Sequence, residues 1–225
     1  MKWPEFLKHV SDIPVFSSRL ILEGPGKLDV RRQLARWTAA GKLISLAKGV
    51  YILAPLYRKV DPHPFVVANA LKKDSYVSLL SAMAHHGMFT RRVDAVTSIT
   101  TGYPGSVQNE FGTFIYRHIK QDLFSDFSSV EVAAGQQACV ATPEKCLLDY
   151  VYLTPDANPL RLPLELGLQN LDIVSRQKLG EKADTLEKPM LKRTARRLQW
   201  MIRAQVDRHR RLHERLLRIR RERGE

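Results

Sequence analysis

The sequence predicts a mixed α/β (α+β) fold in three parts, and three observations carry that prediction. Residues 16–54 run from an apolar segment through Gly24-Pro25-Gly26 into a basic amphipathic stretch, then into two β-branched runs joined at Ala47-Lys48-Gly49. Residues 95–141 hold runs rich in Val, Ile and Thr, broken by turn signals and followed by Thr142-Pro143-Glu144. Residues 190–222 contain neither Pro nor Gly. Asp61-Pro62-His63-Pro64 resists helix or central strand, and a step in charge falls near residue 188. The expected divisions are therefore 1–60, 61–187 and 188–225.

In the first part, residues 16–54 read as a short helix, a Gly-Pro-Gly turn, an amphipathic helix and a hairpin. That order predicts a winged helix-turn-helix, whose second helix suits the major groove of DNA. The amphipathic helix starts near Gly26 and ends at Gly41, a suitable residue just past a helix end. Val30, Leu34 and Trp37 share one face at spacings of four and three. Arg32 and Arg36 point away from that face. Arg31 and Gln33 lie nearer its edges with Asp29, and Lys27 sits at the entry. Four of these charged side chains are Lys or Arg against one Asp, a balance that leans to phosphate contact although a solvated face also carries charge. Leu43, Ile44 and Leu46 form the first strand of the hairpin and Val50–Leu53 the second, with Gly49 where positive φ is needed. Lys48 at the tip is placed for phosphate or a minor groove. The expected DNA-binding residues are Lys27, Arg31, Arg32, Gln33, Arg36 and Lys48.

In the middle part, residues 65–71 read as one or two helical turns and 75–86 as a second helix, capped by Ser75 and closed by Gly87. Strands follow at 95–100, 113–118, 130–133 and 138–141. Tyr103-Pro104-Gly105 and Ala134-Gly135 mark turns between them. Thr142 is a good N-cap, Pro143 fits the first helical position and Glu144 favours the positive end of the helix dipole. Leu147, Leu148, Val151 and Tyr152 give that helix an apolar face, and residues 154–159 form a second linker. The middle is a small mixed sheet with covering helices.

Four segments carry a family resemblance: LARWTAAGKLISLAKGVYIL, DSYVSLLSAMAHHGM, SITTG with FGTFIYRHI beyond it, and ATPEKCLLDYVYL. Together, across roughly residues 16–153, they resemble the AbiEi-type antitoxins, the DNA-binding halves of type IV toxin–antitoxin (abortive infection) systems. The resemblance implies an N-terminal domain that represses its own promoter by binding inverted repeats in double-stranded DNA. It also implies a following domain that counters a toxin with a nucleotidyltransferase fold. The long basic C-terminal helix departs from that pattern.

The last part reads as one long helix. Leu191, Ala195, Leu198, Ile202, Gln205, His209, Leu212, Leu216 and Ile219 repeat at four then three, a single stripe with a coiled-coil-like period. Its first half, with Trp200 and Met201 beside the stripe, is expected to dock on the protein. Its second half carries arginines with few acids to pair them. Arg208, Arg211, Arg215 and Arg218 form a candidate second basic surface, for DNA or for an acidic partner, beside the plainer reading of a solvated helix end.

Charge reinforces this division. The net charge is +13; residues 1–60 hold 11 Lys/Arg and 4 Asp/Glu, residues 61–187 hold 11 and 15, and residues 188–225 hold 14 and 4. Basic ends favour polyanions through release of counterions. Cys139 and Cys146 have no metal-ligand spacing and read as reduced thiols, which fits a cytoplasmic protein. No run of 18 apolar residues and no signal-peptide core occur, so no membrane association is expected. His209 and His213 have the spacing of two ligands on one helix face but no third partner, and His85 and His86 diverge. Glu144-Lys145 is adjacent at a helix start, unlike a nuclease pair on a strand. No metal, no cofactor and no enzymatic activity are expected. The expected function is that of a DNA-binding transcriptional repressor acting as an antitoxin. The alternatives are a nucleic-acid-processing enzyme targeted by the winged helix and a stand-alone transcriptional regulator. A homodimer on DNA and paired monomers are both open.

Overall fold

In the computed structural model the chain is described over residues 2–18, 27–154, 157–187 and 189–222. It forms a mixed α/β fold with N-terminal helices and strands, a central sheet and a long C-terminal helix. Its packing divides into two units, one of Met1–Val77 with Asp94–Val140 and the other of Ser78–Val93 with Ala141–Glu225.

The first unit begins with helix α1 (Trp3–Val10), strand β1 (Phe16–Ser17), helix α2 (Lys27–Ala39) and strands β2 (Leu43–Ala47) and β3 (Val50–Leu53). The three strands form an antiparallel sheet in the order β1-β3-β2. Phe6, Val10, Phe16, Leu34, Trp37, Leu43 and Leu53 close over one another as a core, with Trp3 and Tyr57 packed against it. Phe16 and Ser17 pair with Tyr51 and Val50, so the expected short helix does not begin there. Bonding to a neighbouring strand wins over local helical preference in so short a segment. Ser18, the next residue, is helical; the rest of that expected helix and the Gly-Pro-Gly turn lie outside the described residues.

The same unit holds helix α3 (Pro64–Leu71) and strands β4 (Ser75–Val77), β5 (Ala95–Thr100), β6 (Gly105–Asn109), β7 (Gly112–His118), β8 (Phe127–Ala133) and β9 (Gln136–Ala141). These strands form one mixed sheet in the order β6-β7-β5-β4-β9-β8. β5 runs parallel to β7, and β4 runs antiparallel to β5 but parallel to β9. Tyr76, Val77, Ile99, Phe114 and Val140 are buried in it. The Tyr116 hydroxyl donates to the Ala68 carbonyl at 2.7 Å, tying α3 to the sheet, and burial pushes that phenol well above its ordinary range. The linker before α3 is pinned: the Gln136 amide accepts from His63 N at 2.8 Å and donates to the Asp61 carbonyl at 2.9 Å.

Two expectations change here. Ser75–Val77 is a strand and not the first turn of a helix, because Tyr76 and Val77 are fully buried while their backbone pairs with β5. Helix α4 (Leu79–His85) starts only after Ser78. Gly105, read as the end of a turn, opens the added strand β6 against β7.

The second unit comprises α4, α5 (Pro143–Leu153), α6 (Leu162–Leu166), α7 (Arg176–Thr185) and α8 (Pro189–Glu222). Thr142 caps α5 as expected, its hydroxyl accepting from Lys145 N at 3.3 Å. α5 packs on α4 and α8, and α7 packs along α8. Leu191, Ala195, Leu198, Met201 and Ile202 are buried, so the first third of α8 docks by the expected stripe. Trp200 does not join them; it is 65% exposed, because one residue from Met201 a helix has turned ~100°.

Candidate nucleic-acid interface

Helix α2 is held by its apolar face. Leu34 and Trp37 are buried, and the Trp37 ring lies 4.6 Å from Phe6 and 5.1 Å from Trp3 between centroids. Those contacts fix the helix's rotation about its axis. Its end is fixed by a double closure in which Gly41 N donates to the Thr38 carbonyl at 3.0 Å and Lys42 N to the Trp37 carbonyl at 2.9 Å. Gly41 takes φ +65, the left-handed conformation this closure needs.

With Leu34 and Trp37 anchored, Arg31, Arg32 and Arg36 are exposed. Lys48 is also exposed, at the tip of the β2–β3 hairpin. The hairpin register pairs Leu43 with Leu53 and Ile44 with Ile52, then slips by a bulge between Ser45 and Ala47 before the tip. The Gly49 carbonyl accepts from Ser18 N at 2.8 Å, which ties the tip to the end of β1. Lys27 lies in the first turn of α2, and its side chain falls outside the described residues.

Gln33 differs from its neighbours. It is half-buried, and its Oε1 is buried without a hydrogen-bond partner among the described residues. It lines a shallow pocket of about 570 Å³ with Lys2, Trp3, Arg36, Trp37, Ala40 and Lys42. Two cations missing from the sequence reading therefore stand beside Arg36. Lys42 also lies over the Trp3 ring, its Nζ 4.9 Å from the centroid. Lys42 follows from the helix closure; Lys2 reaches the pocket only through the packing of α1, which leaves no signal in spacing.

On α8, Arg208, Arg211, Arg215 and Arg218 are exposed. Their 3-4-3 spacing places them within ~80° of one another around the helix and along ~15 Å of its length. Arg211 Nε donates to the Asp207 carbonyl at 3.2 Å. The His209 and His213 side chains fall outside the described residues.

A buried polar cluster occupies the second unit. Lys145 forms an ion pair with Asp149 Oδ1, and Ser78 Oγ donates to Asp149 Oδ2 at 2.8 Å. Glu144 Oε1 accepts from Ser175 N at 2.6 Å, just where Ser175 caps α7. The cluster joins α4, α5 and α7, and all three charged members are at least nine-tenths buried. Cys146 lies beside it; burial, and then the charges of Asp149 and Glu144, push its thiol well above the ordinary range, which leaves it protonated and unreactive. His86 Nε2 lies 2.7 Å from the Ala141 carbonyl. Among the described residues no group of three or more His, Cys, Asp or Glu is arranged to hold a metal ion. Among them, too, no helix is long and apolar enough to cross a membrane.

No family model matches the chain, and no curated protein matches it. The likeness to AbiEi-type antitoxins accordingly rests on the quoted sequence segments alone.

Proposed function

We propose that this protein is a cytoplasmic DNA-binding transcriptional repressor that acts as the antitoxin of a type IV toxin–antitoxin pair. On this reading residues 1–60 are a winged helix-turn-helix. The observation that carries it is the exposed basic face of α2, presented by a helix whose opposite face is locked into an aromatic core beside a hairpin tipped by Lys48. The order β1-β3-β2, with α2 leading directly into the hairpin, supports this reading. Arg32 and Arg36 are the base-reading candidates; Arg31, Lys48 and Lys27 are phosphate contacts. The antitoxin role, countering a nucleotidyltransferase-like toxin, is supported by the segments at 74–88 and 141–153.

The test uses the full chain and its own promoter DNA in a mobility-shift titration. Arg32→Ala and Arg36→Ala are each expected to weaken operator binding by about 1–3 kcal/mol. Unchanged binding in both variants overturns the recognition-helix assignment. Co-expression with the neighbouring toxin-like gene product tests the second half: growth rescued by the full chain supports the antitoxin role, and no rescue removes it while leaving the repressor reading intact.

A further inference from the structure

Trp200 is the feature of α8 that docking does not explain. The residues that seat the helix, Leu191, Ala195, Leu198, Met201 and Ile202, are buried on one side, and Trp200 projects from the other, 65% exposed. Beside it lies a shallow pocket of about 610 Å³, lined by Arg176, Gln177, Arg196, Gln199, Trp200 and Arg203. No acid is among those lining residues. Asp184 reaches Arg196 at 3.3 Å and Asp207 reaches Arg203 at 3.9 Å, exposed pairs that a stronger anion can displace. The wall is built rather than accidental: Gln199 Nε2 donates to the Arg176 carbonyl at 2.9 Å, holding α7 to α8.

An indole face open to water and ringed by guanidinium groups has a specific complement. Aromatic rings stack on nucleobases, guanidinium forks pair with phosphates, and amides can meet base edges. In a duplex the base faces are stacked away, so the ring finds a partner only on an unpaired strand. An acidic peptide would satisfy the arginines but leave the indole without a matching surface. Exposed Arg193, Arg197, Arg208, Arg211, Arg215 and Arg218 lie within ~80° around the helix on the side of Trp200, and they continue a cationic track beyond the pocket. We infer that this surface binds single-stranded nucleic acid, with Trp200 stacked on a base and Arg176, Arg196 and Arg203 holding the flanking phosphates. It is a site separate from α2, and it does not depend on the antitoxin reading.

The experiment titrates the full chain into fluorescently labelled oligo(dT), oligo(U) and a short duplex, with polyglutamate as a separate acidic ligand. Trp200→Ala is expected to weaken single-strand binding about 5- to 150-fold, the range of one lost stacking contact. Duplex and polyglutamate binding should change less than about twofold. Trp200→Phe should recover most of the loss, and both variants should keep the parent's Tm because the ring is exposed. A preference for oligo(dT) or oligo(U) then identifies DNA or RNA as the source of the strand. Unchanged single-strand binding in Trp200→Ala overturns the inference. So does an equal loss for single strands, duplex and polyglutamate, which would mark a charge surface suited to an acidic protein.

Discussion

Two basic helices lie toward opposite ends of the chain, and they are held in different ways. α2 has 13 residues, with Leu34 and Trp37 sunk in an aromatic core and a closure at Gly41 that stops it. α8 has 34 residues; among its described side chains the buried apolar ones lie between Leu191 and Ile202, after which exposed arginines recur to Arg218. A helix fixed in rotation places a few cations at defined positions, as reading of base edges requires. A long helix with recurring cations offers charge along its length, as a phosphate backbone requires whatever its sequence. On the proposed reading α2 has the first of these jobs and α8 the second, a division that basic composition alone does not make.

The largest expected effect removes the frame from one side of this contrast. Trp37→Ala should destabilise the first unit by about 3–5 kcal/mol, measured by denaturant unfolding. On the proposed reading it should abolish discrimination between operator and random DNA while leaving a salt-sensitive, non-specific affinity carried by α8. Equal loss of both would mean that α8 holds no nucleic acid by itself. Next in size, replacing Arg208, Arg211, Arg215 and Arg218 together by Gln should lower the slope of log K against log salt by roughly 3–4 for duplex DNA. The preference for operator should stay as it was; a collapse of that preference would place sequence reading on α8 instead. The smallest test is Gly41→Ala, with an expected cost of about 1 kcal/mol from a side chain forced into the left-handed region. Because α2 keeps its anchors, operator affinity should fall less than in Arg32→Ala. A larger fall would show that the closure, and not the aromatic core, sets the pose of the helix.

Much of the architecture is legible in the residues themselves. The span of α8 follows from a Pro- and Gly-free run with a 4-3 apolar stripe, and that of α5 from Thr142-Pro143-Glu144. β5, β7 and β8 are marked by β-branched and aromatic residues, and β9 by the Ala134-Gly135 turn before it. The elements that escape have physical reasons to do so. β4 is three residues long, too short to show alternation, and becomes a strand through its neighbours β5 and β9. β6, with the sequence GSVQN, is a polar edge strand. α7 contains Gly180 and offers Leu179 as its one large apolar side chain. α1 is organised by aromatic contacts from Trp3 and Phe6 that only the folded core supplies. At the candidate interface the exposure of Arg31, Arg32, Arg36 and Lys48 is readable from helical period and turn position. The half-burial of Gln33 and the arrival of Lys2 are not, since both depend on α1. The Lys145–Asp149 pair has an i,i+4 spacing visible in the sequence, but that spacing does not show that the pair is buried.

The interleaving of the two units constrains how this protein can be taken apart. The chain leaves the first unit after Val77, returns at Asp94 and leaves again after Val140. Wherever a single peptide bond is cut, at least one unit is left in two pieces. A stop at residue 140 strands α4 without α5, and a start at residue 78 removes β4 from the middle of its sheet. No single cut therefore releases both units intact, as it would in a string of beads. A nicked chain would hold together only by its packing, so a protease that cuts once would be expected to loosen at least one unit without releasing the other as a whole fragment.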